Sequence, residues 1–244
     1  MAIVFEGGID IGPGIDIGDG SGPAPGLTPV LSLDAGNPAS YPGSGATWTD
    51  TIGSMPFTLV NSPTYNSANG GYIQFNPGSG QYGYSTTNLG TLANWSIEAW
   101  HYYDGTNTSA GPNIFTEWQY GGGTINLGLG CGNSGNTTDL QTWWYGSGFH
   151  TTAPYTLTSG NWYQIVGTFD GTTLKLYVNN TLVETATEPP GGAANPAIGY
   201  GLMTRWDPGG LWGGRLAILN VYNTDIGAGG VTTSWNANKT RFGL

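Results

Sequence analysis

Residues 162–179, WYQIVGTFDGTTLKLYVN, consist of two runs of apolar and β-branched residues on either side of Asp170-Gly171. An Asp-Gly pair supplies the positive φ angles that a tight hairpin turn requires. In the second run Leu174, Leu176 and Val178 alternate with polar or amphipathic residues, which is the period of a strand with one buried face. The segment therefore predicts an antiparallel hairpin formed by residues 162–169 and 173–178.

Similar signals recur along the chain on both sides of this hairpin. Asn179-Asn180 predicts a second tight turn into the next strand, because asparagine tolerates positive φ best after glycine. Runs of strand-forming residues separated by Gly, Asn and Pro are predicted as strands at Val30–Leu33, Phe57–Val60, Tyr72–Phe75, Gln81–Ser85, Trp95–Tyr103, Asn113–Tyr120, Thr124–Leu129, Leu140–Tyr145, Trp162–Phe169, Thr173–Val178, Leu182–Ala186 and Leu216–Tyr222. A dozen short strands predict an all-β sandwich or barrel, with one short helical segment at 231–241.

The charge composition limits the classes of partner. Only 8% of the 244 residues are charged, and five basic residues against fifteen acidic ones give a net charge of −10. A protein that neutralises phosphates needs a surface of Lys and Arg, so we expect neither nucleic acid nor an anionic membrane as a partner. The surface must consist largely of Ser, Thr, Asn, Gln and Gly, which suits contact with sugars or with other subunits.

The sequence shows neither a pair of cysteines for a disulfide nor a signal for secretion or membrane insertion. A single cysteine, Cys131, allows no internal disulfide, so the fold is not a disulfide-stapled scaffold. The N-terminus lacks the basic and apolar regions of a secretory signal, and no apolar run reaches the roughly 18 residues that span a bilayer. We therefore expect a protein that is made and folded as a soluble product, which can still reach the outside of a cell by another route such as lysis.

Residues 1–26 differ from the remainder and form a predicted extended arm and linker. The unit Gly-Ile-Asp-Ile-Gly occurs at 8–12 and again at 14–18, and proline and glycine prevent a long strand between them. Such short strands gain order by adding to the edge of a neighbouring sheet, and a flexible glycine-rich tail is the alternative. The predicted assembly residues of this arm are Ile9, Asp10, Ile11, Ile15, Asp16 and Ile17.

Residues 27–244 resemble the laminin-G-like members of the concanavalin A-like lectin/glucanase superfamily. The resemblance rests on residues 72–76 (YIQFN), 95–100 (WSIEAW), the block 162–179 and residues 216–223 (LAILNVYN), which follow one another in the family's order. It implies a two-sheet antiparallel jelly-roll sandwich, in agreement with the strand pattern.

A narrower resemblance links the chain to stand-alone laminin-G-like domains in structural proteins of tailed bacteriophages. It rests on residues 33–41 (LDAGNPASY), 48–50 (WTD) and 236–243 (NANKTRFG). It implies an oligomeric virion protein assembled in the host cytoplasm, with itself and other virion proteins as partners. A capsid decoration or cement protein is the favoured role, because the chain lacks the long fibrous repeats typical of tail fibres.

The sequence does not contain the residue patterns of a hydrolase. A retaining glycosidase needs two carboxyl groups about 5–5.5 Å apart, whereas Glu98 and Glu117 are each single in their strands. His101 and His150 lie near no Gly-x-Ser-x-Gly motif, and Cys131 has no basic neighbour that would lower its pKa. We therefore predict that the protein is not an enzyme, and a divergent glycoside hydrolase that uses Glu98 and Glu117 is the third hypothesis.

Metal binding has no clear signature, so we predict no cofactor. Loop aspartates hold Ca²⁺ in many lectin-like proteins. The aspartates here do not follow the regular spacing of a calcium-binding loop. Each of them is also typical of a turn in which the side chain accepts a hydrogen bond from the nearby backbone. A structural calcium ion is the alternative, with Asp34, Asp50, Asp104, Asp139 and Asp207 as the candidates.

Aromatic side chains suggest the second functional hypothesis, a carbohydrate-binding lectin-like module, either free or on a phage tail, that recognises host surface glycans. Sugars stack on aromatic faces, but aromatic residues also fill sandwich cores and subunit interfaces. Residues 143–145 (WWY) alternate faces on a strand, so we expect only one of these two faces to belong to the core. The candidate glycan or interface aromatics are Trp118, Tyr120, Trp143, Trp144, Tyr145, Trp206 and Trp212.

Overall fold

The computed structural model describes residues 26–107, 111–118, 127–131, 139–145, 149–187, 199–205 and 209–244. The helix α1 spans Gly227–Asn238, and a 3₁₀ turn, Lys239–Phe242, follows it. The strands of the described residues are β1 Leu31–Asp34, β2 Thr47–Thr49, β3 Pro56–Val60, β4 Thr64–Asn66, β5 Tyr72–Phe75, β6 Tyr82–Ser85, β7 Trp95–Tyr103, β8 Asn113–Trp118, β9 Leu127–Gly130, β10 Asp139–Tyr145, β11 Phe149–Thr151, β12 Tyr155–Thr156, β13 Asn161–Phe169, β14 Thr173–Val178, β15 Thr181–Thr187, β16 Gly199–Leu202 and β17 Gly214–Tyr222.

These strands form two antiparallel sheets. The first sheet has the order β15-β14-β13-β7-β17-β5-β4, and β1 also pairs with β17. The second sheet has the order β11-β10-β9-β8-β16-β6-β3-β2, and β12 also pairs with β10. The prediction of an all-β, two-sheet antiparallel sandwich is thus confirmed, whereas the predicted N-terminal arm lies outside the described residues.

The hairpin at 162–179 is present, but its first turn differs from the prediction, because only Gly171 of the Asp170-Gly171 pair has a positive φ, of 96°. Asp170 Oδ1 accepts hydrogen bonds from the backbone N–H groups of Thr172 and Thr173, at 2.9 and 2.8 Å. Burial raises the pKa of Asp170, but these hydrogen bonds and the nearby Lys175 ammonium outweigh it and the net pKa is lowered. In the next turn Asn179-Asn180 has φ angles of 48° and 61°, which are the positive values that its sequence predicted.

The main core fills the space between the sheets. Alternate residues of β7 and β13, among them Trp95, Ile97 and Phe169, point inward from the first sheet. Trp144 enters from the second sheet and stacks on Phe169 with a centroid distance of 4.9 Å. Aromatic residues bury the most area per side chain, so these contacts stabilise the pairing of the two sheets.

The outer face of the first sheet is partly covered by the C-terminal segment. Val231 of α1 packs on Val166 and Tyr177, which point away from the main core. Farther along, Trp100 stacks on Phe242 with a centroid distance of 4.7 Å. The predicted helix at 231–241 is therefore present, although it begins four residues earlier, at Gly227.

The two ends of the domain are joined by a buried ion pair, which we call the terminal clasp. Arg241 donates to both carboxylate oxygens of Asp34, at 2.8 Å each. The same guanidinium donates to the carbonyl oxygens of Asn69, Gly70 and Gly71. Bidentate pairing of this kind fixes orientation as well as distance, so the clasp ties the C-terminal turn to β1 and to the loop before β5.

Candidate functional site

Two tyrosines lie on the outer face of the second sheet, which points away from the core. Tyr82 and Tyr84 of β6 are half-buried, and their ring centroids are 6.3 Å apart. Tyr84 pairs across the sheet with Thr58, and Thr58 pairs with Thr47, both of which are exposed. Burial, and secondarily Tyr84, raise the pKa of Tyr82, so its hydroxyl is protonated and can donate at neutral pH. We call these four residues the tyrosine face.

On the side of Tyr84 away from Thr58, a row of successive cross-strand pairs runs through the second sheet and includes two glycines. Tyr84 pairs with Gly201, Gly201 with Thr116, and Thr116 with Gly128. Gly128 then pairs with Trp143, whose indole ring lies so close that a Cβ at position 128 would overlap it. Glycine is therefore required where the tryptophan lies flat on the strand. Thr116 and Trp143 are almost completely buried, so the accessible end of this row is the tyrosine face.

The sequence predicted that only one of Trp143 and Trp144 is buried, but in the structure both are. The two side chains point to opposite faces of β10, and their exposed fractions are 1% and 3%. Trp212 is also fully buried, with its indole N–H donating to Nε2 of His101 at 2.9 Å. These three tryptophans therefore present no exposed ring face to a ligand. Of the other candidate aromatics, Tyr120 and Trp206 lie outside the described residues, as do the side chains of Trp118 and Tyr145.

Glu98 is the centre of a buried polar cluster beneath α1. Its Oε1 accepts hydrogen bonds from Trp100 Nε1 at 2.9 Å, from Gln164 Nε2 at 3.1 Å and from the Ser234 hydroxyl of α1. Its Oε2 accepts from Asn220 Nδ2 at 3.1 Å and from the Tyr222 hydroxyl at 3.2 Å. Burial raises the pKa of Tyr222, and the Glu98 charge raises it further, so this hydroxyl remains a donor. We call these six residues the Glu98 cluster.

Glu117 lies in the other sheet and is not a partner of Glu98. It is buried in β8 and pairs with Tyr200 of β16, whereas Glu98 pairs with Val166 and Asn220 in the first sheet. Glu98 points outward from the first sheet, and packed sheets lie about 10 Å apart. The structure therefore does not bring together the two carboxyl groups that the hydrolase hypothesis requires.

The remaining candidate chemical groups are held in the interior or in turns. Burial lowers the pKa of His101 to about 3, so this imidazole is neutral near pH 7. Burial also raises the pKa of Cys131 to about 12, which makes its thiol a poor nucleophile. No cluster of three or more metal-ligating side chains occurs among the described residues.

The aspartates that we considered for calcium have other partners. Asp50 accepts from the backbone N–H groups of Ser32, Ile52 and Gly53, and Asp34 belongs to the terminal clasp. Asp104 and Asp139 accept from threonine hydroxyls, whereas Asp207 lies outside the described residues. The described aspartates thus hold turns and loops together.

The tyrosine face was not among the residues singled out from the sequence. Its signal is the Tyr-Gly-Tyr of residues 82–84, in which alternation places both rings on one side of the strand. Gly83 packs against Leu202 on the core side. Because that core-facing position carries no side chain, the hydrophobic alternation of β6 does not reveal which side of the strand is buried.

A family profile described as "Concanavalin A-like lectin/glucanases superfamily", of the laminin-G type, matches residues 67–231. The chain belongs to this superfamily. Membership agrees with the two-sheet sandwich. No curated protein matches the sequence significantly. Within the described part of the chain, no helix has both the length and the apolar character required to span a membrane.

Solved structures of similar fold come from carbohydrate-related proteins and toxins. Domain 4 of AbnA, a GH43 extracellular arabinanase from Geobacillus stearothermophilus in complex with arabinotriose, has a TM-score of 0.62 at 17% identity and covers 85% of this chain and 98% of its own. The Trypanosoma rangeli sialidase in complex with the inhibitor DANA has a TM-score of 0.60 at 14% identity, with 87% and 33% covered. The binding domain of botulinum neurotoxin DC in complex with SialylT has a TM-score of 0.60 at 12% identity, with 86% and 51% covered. This chain thus spans about half of the toxin domain and a third of the sialidase.

Proposed function

We propose that this chain is a non-enzymatic, lectin-like binding domain that contacts carbohydrate through the tyrosine face. The observation that carries the proposal is the arrangement of Tyr82 and Tyr84 beside Thr58 and Thr47 on a regular sheet surface. Tyrosine offers a rigid apolar ring with a polar tip, which suits the mixed apolar and hydroxyl-bearing surface of a sugar. The threonine hydroxyls next to the rings can both donate and accept hydrogen bonds.

The superfamily and its structural neighbours support a sugar ligand. The arabinanase domain contains arabinotriose, and the toxin binding domain was solved with SialylT. A binding role without catalysis is supported by the engagement of Glu98 with five donors and by its separation from Glu117. A shallow tyrosine surface with few charged groups is suited to reversible contact with neutral glycans.

The test is a glycan-array screen of the full chain, followed by calorimetric titration of the best-retained oligosaccharide. Tyr84→Ala should weaken binding by about fivefold or more, since the loss of one stacked ring corresponds to roughly 1 kcal/mol or more. Tyr155→Ala is the matched control, because Tyr155 is a half-exposed tyrosine on β12 that pairs with Leu140. Equal loss of affinity in both variants, or none in Tyr84→Ala, would disprove the tyrosine face as the site.

The second candidate function is a bacteriophage virion structural protein, with capsid decoration as its role. It is supported by the sequence resemblance at residues 33–50 and 236–243, two segments joined in the structure by the terminal clasp of Asp34 and Arg241. The low fraction of charged residues also favours packing against other subunits. In this proposal the isoleucines of residues 8–18 pack against a neighbouring subunit.

Light scattering behind a sizing column separates the two candidates. The full chain should be oligomeric if the arm mediates assembly, and a variant that lacks residues 2–26 should then be a folded monomer. Mixing each form with pre-formed capsids covers the case in which the arm needs an assembled particle. If both forms are monomers and neither is retained on capsids, the assembly role is excluded and the lectin-like function stands without it.

A further inference from the structure

A second polar and aromatic cluster lies on the outer face of the first sheet, where α1 does not cover it. Arg215 of β17 pairs across the sheet with Gln74 on one side and with Tyr102 on the other. Its guanidinium carbon lies 4.2 Å from the Tyr102 ring centroid and 4.9 Å from that of Tyr72. Gln74, Arg215 and Tyr102 are each partly exposed, so solvent reaches this cluster.

Arg215 is a cation without an acidic partner among the described residues. Lys175 lies within 4 Å of Asp170 and Asp225, and Arg241 pairs with Asp34. No carboxylate of the described residues lies within 4 Å of Arg215, although the chain has a net charge of −10. Aromatic faces offset part of the cost of removing a guanidinium from water, but they leave its hydrogen-bonding edge unused.

A hydrogen bond at Arg215 Nε orients the guanidinium and thereby its two Nη groups. Arg215 Nε donates to Gln74 Oε1 at 3.1 Å, and Gln74 Nε2 is oriented in turn by the Gly214 carbonyl oxygen at 3.1 Å. Gly214 has a φ of 115°, and a Cβ there would collide with the Tyr102 carbonyl oxygen, so the strands approach closely at this point. Neither Nη atom of Arg215 has a hydrogen-bond partner among the described residues.

We propose that Arg215 binds the carboxylate of an acidic sugar, such as a uronate residue, through its two Nη groups. A planar guanidinium held in place by ring faces is preorganised for two parallel hydrogen bonds to a carboxylate. The sugar hydroxyls would then lie near Gln74 and near the Asp104 carboxylate, whose Oδ2 is 3.4 Å from Gln74 Nε2. An amide and a carboxylate beside the anion site are suitable partners for sugar hydroxyls.

This arginine site is separate from the tyrosine face. The two lie on the outer faces of opposite sheets, so a ligand at one does not contact the other. Loss of binding at one of these sites therefore leaves binding at the other unchanged. The arginine site also predicts a different ligand class, because the tyrosine face has no cation and the arginine site has one.

The test uses trigalacturonic acid and its fully methyl-esterified form, which keeps the sugar rings but has no charge. Titration is followed by calorimetry and by the Nε–Hε NMR signal of Arg215, which is assigned by its absence in Arg215→Lys. The acid should shift this signal and the ester should not. Arg215→Lys keeps the charge but loses the planar two-point contact, so it should bind the acid about tenfold or more weakly.

Lys239→Ala is the control for loss of a positive charge elsewhere, because Lys239 bonds only Asn236 among the described side chains, and it should bind the acid normally. Tyr84→Ala should also leave this binding unchanged. A short peptide with a free C-terminal carboxylate tests the other carboxylate source, and equal affinity for it would overturn the sugar assignment. Equal binding of the acid by Arg215→Lys, equal binding of the ester, or no Arg215 shift up to about 10 mM acid would show that the cluster has a packing role only.

Discussion

Single residues decide where this sandwich tolerates polar groups. Glu98 is completely buried, yet five side-chain donors surround its two oxygens. The sequence shows a lone glutamate in an otherwise apolar strand, and this pattern alone cannot identify partners that come from β13, β17 and α1. The burial of a charged group is tolerable because these donors replace the lost water.

The Glu98 cluster predicts a stability difference between two substitutions. Glu98→Ala leaves several buried donors without an acceptor, and we expect it to lower the free energy of unfolding by about 3 kcal/mol or more. Ser234→Ala removes one donor and should cost roughly 1 kcal/mol. Urea unfolding followed by tryptophan fluorescence measures both values. If Glu98→Ala destabilises no more than Ser234→Ala, the cluster does not hold α1 to the sheet.

His101 predicts a pH dependence of stability. Burial lowers its pKa to about 3 in the folded protein, against an ordinary value of about 6.5 in the unfolded chain. Between these values the unfolded chain binds a proton that the folded protein does not, so stability falls as the pH decreases from about 6.5 toward 3. The slope from this group approaches about 1.4 kcal/mol per pH unit.

Other groups titrate in the same range, so the informative quantity is the difference between the wild type and His101→Gln. Glutamine offers an acceptor for the Trp212 N–H but does not titrate. The pH slope of urea-derived stability should therefore be smaller in this variant from pH 6.5 downward. Identical slopes would mean that His101 can be protonated in the folded state.

Secondary-structure elements show which features the sequence could predict. The long strands β7, β13 and β17 were predicted because apolar residues and turn signals bound them clearly. The short strands β2, β4, β11, β12 and β16 were missed, since two to four residues carry too little alternation to be recognised. Burial on both faces of β10 was also not predictable, because an alternating pattern assigns only one face of a strand to the core.

The terminal clasp predicts that the C-terminal elements depend on one ion pair. Arg241→Ala leaves the buried Asp34 carboxylate without its cation, and we expect a loss of about 3–5 kcal/mol in the free energy of unfolding. Amide hydrogen exchange of Lys239–Phe242 and of α1 should accelerate before that of β13. Lys239→Ala, in the same turn but only partly buried and bonded through its ammonium to Asn236, is the control. Unchanged protection in Arg241→Ala would show that α1 packing alone holds this segment.

The whole molecule is a sandwich with two different outer faces. The first sheet has α1 over part of its outer face and the arginine site beside it, whereas the second sheet has the tyrosine face at its accessible end. Composition and strand pattern were sufficient for the fold class. They were not sufficient for the site, because Tyr84, Thr58 and Thr47 become neighbours only through the pairing of β6, β3 and β2.

Carbohydrate binding by the tyrosine face is tested by chemical-shift mapping of the isotope-labelled full chain with the oligosaccharide that the array retains best. Binding at the tyrosine face predicts that amide shifts are concentrated at Thr47, Thr58, Tyr82, Tyr84 and Gly201. Shifts that are concentrated elsewhere on the surface, or the absence of any retained oligosaccharide across the array, would contradict a carbohydrate-binding tyrosine face.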